Sequence, residues 1–97
     1  MPSDPYELHR AVQGCDRTAV ERLIAAGHDL NALDDFGMTA LHWAVYGGYI
    51  ELVRALLGAG ADPNRKSKHA TTALWHAEDD FGMHEIAAVL RTCGAVK

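Results

Sequence analysis

Cysteine is scarce in this chain. Two residues among 97, Cys15 and Cys93, sit near opposite ends and lack the CxxC spacing of a redox or zinc pair. They read as incidental small apolar side chains in a reducing compartment, not as a disulfide frame. Long hydrophobic runs are also missing. No stretch approaches the ~18 apolar residues of a membrane-crossing helix. The opening Met-Pro-Ser-Asp-Pro-Tyr-Glu-Leu-His-Arg has neither a basic lead nor an apolar core, so it does not read as a secretory signal. Positive charge is in deficit: nine Lys plus Arg against thirteen Asp plus Glu leave a net charge of -4. A general nucleic-acid binder is basic, so that class is disfavoured. The sequence contains no G-x-S-x-G, no Gly-rich phosphate loop and no Cys–His pair with a plausible shared site. What is present is ordinary globular material, 48% hydrophobic and 23% charged. A chain this short makes one compact domain, residues 1–97, burying about two-thirds of its unfolded surface and leaving little room for an enclosed cavity.

An internal repeat decides the architecture. Leu8-His9-Arg10-Ala11-Val12 returns as Leu41-His42-Trp43-Ala44-Val45, and Leu74-Trp75-His76-Ala77 follows at the same interval of 33. Leu23-Ile24-Ala25-Ala26-Gly27 matches Leu56-Leu57-Gly58-Ala59-Gly60 and then Leu90-Arg91-Thr92-Cys93-Gly94. Asn31 and Asn64 are equivalent as well. The step from Gly60 to Gly94 is 34, so one residue is inserted in the third unit, near Asp79-Asp80-Phe81. The units run from about 4 to 31, 32 to 64 and 65 to 97.

Each unit offers two short amphipathic helices. Leu41, Ala44 and Val45 share one helical face, and Ile50, Val53, Leu56 and Leu57 share another. Gly27, Gly60 and Gly94 follow apolar helical runs and suit the left-handed conformation that ends a helix. Asp4-Pro5 with Glu7 forms a helix start, and Thr39 and Thr72 can cap the first helices of units two and three. Ala11, Ala44 and Ala77 recur at one position and allow neighbouring helices to approach closely. Arg91 stands where the second unit has Leu57, while Arg17, Glu21 and Arg22 decorate the other end. Both ends therefore look finished, as a stack of repeats requires. With two helix-pair spacings between Cys15 and Cys93, an intramolecular bridge is not expected.

The run Asp34-Asp35-Phe36-Gly37-Met38-Thr39-Ala40-Leu41-His42-Trp43-Ala44, continued by Gly48-Tyr49-Ile50-Glu51-Leu52-Val53-Arg54-Ala55-Leu56-Leu57 and Gly60-Ala61-Asp62-Pro63-Asn64, resembles one full ankyrin repeat. Ala40 replaces the usual Pro of the Thr-Pro-Leu-His signature, and Trp75 replaces the His of the third unit. The resemblance covers essentially the whole chain. It implies an all-α solenoid of three stacked helix–turn–helix units joined by short β-hairpin-like loops. It also implies that His9 and His42 are structural, linking helix starts to loop backbone.

By the same resemblance, function is recognition. The expected module is non-enzymatic, needs no cofactor or metal, and binds a protein partner through a concave face of hairpin tips and first helices. It is expected to be cytoplasmic, monomeric when free, and to touch neither nucleic acid nor membrane. Carried onto this sequence, that face offers Asp35, Phe36, Met38 and Tyr46 in the second unit, and Lys68, His69, Thr71, Asp79 and Asp80 in the third. Phe36 and Tyr46 are the expected anchors, because a large ring at an exposed tip has no folding reason to be there. Phe36 folding back on Met38 or Leu33 is the competing reading, and Trp43 is read as core. Asp34 and Asp35 make one tip acidic; Arg65, Lys66 and Lys68 make the next basic. Small bacterial ankyrin proteins that this chain resembles include immunity proteins, so neutralisation of a cognate toxin is the first expected outcome of binding. An adaptor that holds its partner without inhibiting it is the second. A small metal-dependent hydrolase using His76 and His84, with Glu78, Asp79 and Asp80 between them, is the third, although their spacing matches no standard zinc pattern.

Overall fold

In the computed structural model, residues 6–80 and 82–96 are described, without the side chain of Asp80. The described residues form helices and turns and no strand. Helices α1 (Glu7–Gln13) and α2 (Arg17–Ala25) make the first unit; α3 (Ala40–Gly47) and α4 (Ile50–Gly58) make the second. In the third, α5 (Ala73–Trp75) runs directly into a π-helical turn, His76–Asp80, and α6 (His84–Thr92) follows.

Local chemistry explains the boundaries. Thr39 Oγ1 accepts from the backbone N–H of His42 at 3.1 Å, and Thr72 Oγ1 accepts from that of Trp75 at 3.2 Å, each meeting a donor the first helical turn leaves over. Asp16 does the same for α2 through the N–H of Ala19. At the other ends Gly27, Gly60 and Gly94 take φ of 87°, 101° and 92°, the left-handed geometry their position implied. The helix start expected at Asp4-Pro5 lies outside the described residues; α1 begins at Glu7 behind Tyr6, which makes no side-chain cap.

The helices stack in two rows. First helices contact one another from α1 to α3 to the α5–π segment, and second helices from α2 to α4 to α6. The core repeats with the sequence: Leu8, Leu41 and Leu74 are buried in one row, and Leu23, Leu56 and Leu90 in the other. Burying each such side chain stabilises the fold by roughly 1.5–3 kcal/mol. Ala44 and Ala77 are fully buried between rows, as close helix approach requires. Three stacked units give an elongated body, 41 Å by 25 Å by 21 Å.

The connections are tight hairpin-like turns. Asp34 N–H donates to the Met38 carbonyl, and Ser67 N–H to that of Thr71, both at 2.9 Å. Lys68 N–H then donates to the Gly37 carbonyl at 2.9 Å, tying one tip to the next. Further polar contacts bridge units. Asn31 Oδ1 accepts from Asp62 N–H, and Asn64 Oδ1 accepts from Val96 N–H, both at 2.7 Å. Both cysteines are free and exposed.

The extra residue of the third unit is absorbed inside the helix and not in a loop. An α-helix takes up one added residue as a single π turn, which bulges locally and then resumes. Ala77 keeps the buried place of Ala44, 33 residues on, while Gly82 takes the left-handed place of Gly48, 34 on. The insertion therefore falls within residues 78–82, and Phe81 lies outside the described residues.

Candidate functional site

The Leu-His position acts through the helix start. His42 Nδ1 lies 2.6 Å from Thr39 Oγ1, and its Nε2 lies 2.9 Å from the Thr71 carbonyl of the next tip. The carbonyl can only accept, so Nε2 carries the proton and Nδ1 accepts from the threonine hydroxyl. Burial holds the pKa of His42 below its usual value; the Thr71 carbonyl opposes that, while His76 and Arg65 add to it. His9 makes the matching bond, Nε2 to the Ala32 carbonyl at 2.8 Å. Tyr6 stands where Thr39 caps His42, so the buried Nδ1 of His9 has no hydrogen-bond partner, and the Tyr6 ring meets it edge-on at 5.9 Å. Both histidines are structural.

In the third unit Trp75 stands at this position, and the neighbouring histidine makes a different set of contacts. His76 is buried, with Nε2 at 2.8 Å from Thr71 Oγ1 and 3.4 Å from Tyr46 Oη. The Ser67 hydroxyl extends the chain, 2.8 Å from Thr71 Oγ1. His9 and His42 both reach a carbonyl in the following unit, whereas Trp75, at their place in the third, is 39% exposed.

Five rings run in sequence across units two and three. Phe36 meets Trp43 at 5.9 Å and 87°, and Trp43 meets Tyr46 at 5.9 Å. Tyr46 meets His76 at 4.8 Å, and His76 meets Trp75 at 5.0 Å. Phe36 is 61% exposed, Tyr46 36% and Trp75 39%, so three of the four large hydrophobic side chains exposed among the described residues belong to this one ladder. Both readings of Phe36 hold in part. It leans back, but onto Trp43 and not onto Met38 or Leu33, and most of its ring still faces solvent. Trp43 is half-buried against the core, and its indole N–H donates to Asp34 Oδ2 at 2.7 Å. Phe36, Trp43, Tyr46 and Tyr49, with Gln13 and Gly47, line an open depression of about 400 Å³.

This two-row stack, with its tips tied by backbone hydrogen bonds, is what a family model for ankyrin repeats in three copies matches over residues 8–97. The chain belongs to the ankyrin-repeat family. Among curated proteins it is 43% identical over 70 residues to the 2-5A-dependent ribonuclease of Mus musculus, covering 71% of this chain and 10% of that protein. It is 34% identical over 91 residues to human ankyrin repeat domain-containing protein 13B, covering 93% of this chain and 14% of that protein. It is 38% identical over 69 residues to inversin of Gallus gallus, covering 70% of this chain and 6% of that protein. The chain thus spans a small fraction of each relative's length. Ankyrin repeats are protein-interaction modules, and at that level so is this chain.

Not every expected contact residue of this ankyrin stack reaches the surface. Asp35, Lys68, His69 and Asp79 are exposed. Met38 is a correction: at 5% exposure it lies beneath the tip, with its N–H on Asp34 Oδ1 at 2.9 Å. Thr71 is a second correction, because it is half-buried, its hydroxyl is engaged between Ser67 and His76, and its carbonyl takes the His42 bond. Asp34 is a third, since it does not make the tip acidic. It is 7% exposed, and its carboxylate holds the N–H groups of Phe36 and Met38 as well as the Trp43 indole. The Asp80 side chain lies outside the described residues.

The residues of the hydrolase reading are not brought together. His76 is hydrogen-bonded to the Thr71 hydroxyl, Glu78 pairs with Arg91, and His84 is exposed at the start of α6. Among the described residues no group of three His, Cys, Asp or Glu side chains is placed to hold a metal ion. Also among them, no helix is long and apolar enough to cross a membrane.

Proposed function

We propose that this chain is a non-enzymatic docking module that captures a protein partner on the face carrying the ring ladder. Phe36, Tyr46 and Trp75 are the anchors of that surface, with Asp35, Lys68, His69 and Asp79 around them. The ladder's exposure carries the reading: Phe36, Tyr46 and Trp75 each stay partly exposed at tips and first helices, and aromatic side chains are enriched among interface hot spots. Mixed charge around the rings suits a complementary protein surface, where it sets specificity and on-rate. The free module is a monomer, acts in the cytoplasm, and uses this face for neither nucleic acid nor membrane.

A photo-crosslinking amino acid placed at Phe36, and separately at Arg54 on the second-helix row, tests the reading in a lysate of the source cell. Crosslinking to one protein species from position 36 and not from 54 is the expected result. The reverse pattern would place the interface on the other row. The immunity-type role is the finer form of the same proposal. It requires that the captured protein lose its activity at one equivalent of module, and retention of that activity would make the chain an adaptor.

A further inference from the structure

The depression beside the ladder is an unusual container. Its lining is four aromatic side chains, Phe36, Trp43, Tyr46 and Tyr49, with Gln13 and Gly47, and includes neither an aliphatic nor a charged side chain. Phe36 and Trp43 stand nearly perpendicular and Trp43 and Tyr46 are tilted by 57°, so the rings form walls and not a stack. Tyr49 reaches the rim of this open depression because residue 47 is glycine: a Cβ there would sit 2.3 Å from the Tyr49 ring. Trp43 is further biased by its partner. Its N–H donates at 2.7 Å to the Asp34 carboxylate, which places negative charge in the plane of the indole and makes its face more attractive to a cation. Asp35, exposed, lies beside Phe36 in the chain, and the whole protein carries a net charge of -4. Lys68 of the neighbouring tip lies with its stem against Gly37 and is outside the lining.

We infer that this depression receives a cationic side chain, arginine or lysine, projecting from the partner protein. The inference rests on the proposed docking face and names the chemistry that face selects. Ring faces attract a cation through their quadrupole, Asp34 acts through its bond to the Trp43 indole, and exposed Asp35 with the chain's net charge of -4 supplies the long-range charge. An aliphatic side chain of the same length would gain contact area but none of this attraction.

Short peptides of the form Gly-Gly-X-Gly-Gly, blocked at both ends, test it with X as lysine, arginine, norleucine or glutamate. Binding is read from the indole N–H signal of Trp43 by NMR in the whole chain, with Trp75→Phe assigning the two tryptophan signals. Lysine and arginine peptides are expected to bind about threefold or more tighter than norleucine, with the preference shrinking at high salt. Norleucine or glutamate binding as tightly as lysine, or no peptide moving the Trp43 signal, overturns the inference. Phe36→Ala, an exposed position that leaves the core intact, separates two failures. If norleucine equals lysine and both weaken in Phe36→Ala, the docking face stands and the cation preference falls. If Phe36→Ala changes neither, the face itself is misplaced.

Discussion

Ala70 adopts φ of +61° at the place where the preceding tip has Gly37 at +75°. Cys15 adopts +54° where the second and third units have Gly48 and Gly82. A side chain in this left-handed region costs about 1–2 kcal/mol. Glycine removes that strain and gives back part of the gain as unfolded-state entropy. Ala70→Gly and Cys15→Gly should therefore each stabilise by about 0.5–1 kcal/mol, raising Tm by several degrees in a domain this size. Gly37→Ala should do the opposite, since its Cβ would also fall 2.3 Å from the Lys68 stem. Thermal melts of the three variants check the signs. His42 adds a pH dependence. Burial holds its pKa in the folded state below the ordinary imidazole value of 6.5, so the unfolded chain binds the proton more readily. Stability should hold above that pH and fall as pH drops through it toward the folded value, because the unfolded state is then favoured. Urea melts across this window should show a positive slope with pH that flattens in His42→Gln; an unchanged slope would mean other groups set it. At this scale the sequence was informative about the structural histidines, because they recur with the repeat. It was silent on depth within a tip. Met38 and Thr71 occupy the same repeat place as each other, 33 apart, and both are drawn inward by backbone and hydroxyl bonds that no pattern of polarity announces.

The first helices differ in how much their threonine caps carry. Thr72 meets one N–H, that of Trp75. Thr39 meets the N–H of His42 and also hydrogen-bonds the buried Nδ1 of the same histidine. Thr72→Ala should cost about 1 kcal/mol, the ordinary value of a cap. Thr39→Ala should cost about 2 kcal/mol or more, because it also leaves a buried ring nitrogen unsatisfied. Equal losses in urea unfolding would mean that the second bond contributes nothing. The π turn shows what element-level reading can and cannot extract. The change of interval from 33 to 34 located the inserted residue, but not its form, because a spacing count does not distinguish a longer loop from a bulged helix. The outcome follows from what flanks it. Ala77 is committed to the buried row, and Met83 N–H closes the following turn onto the Ala77 carbonyl at 2.6 Å. The extra residue is confined between them. Trp75 was legible as a departure from the pattern; its place in the ring ladder was not, because that depends on His76 turning toward Tyr46.

On the scale of the whole molecule, two rows of helices hold two tips and one aromatic ladder in fixed relation. Asn31 and Asn64 fasten each unit to the next, and the buried leucines of both rows make the units interdependent. The all-α stack was legible in full, because the repeat declares which residues must share a core. The continuous ladder was only half legible: Phe36 and Tyr46 stood out as exposed rings, whereas Trp43, read as core, and His76, read as a candidate of the hydrolase alternative, extend them into one ladder. The central claim is that these rings bind the partner. Calorimetric affinities of the captured partner for Phe36→Ala, Tyr46→Ala and Arg54→Ala test it most directly. Each ring variant should lose about 1–3 kcal/mol of binding while still melting cooperatively, and Arg54→Ala should bind as the parent does. Unchanged affinity in both ring variants, or a loss confined to Arg54→Ala, would contradict the account.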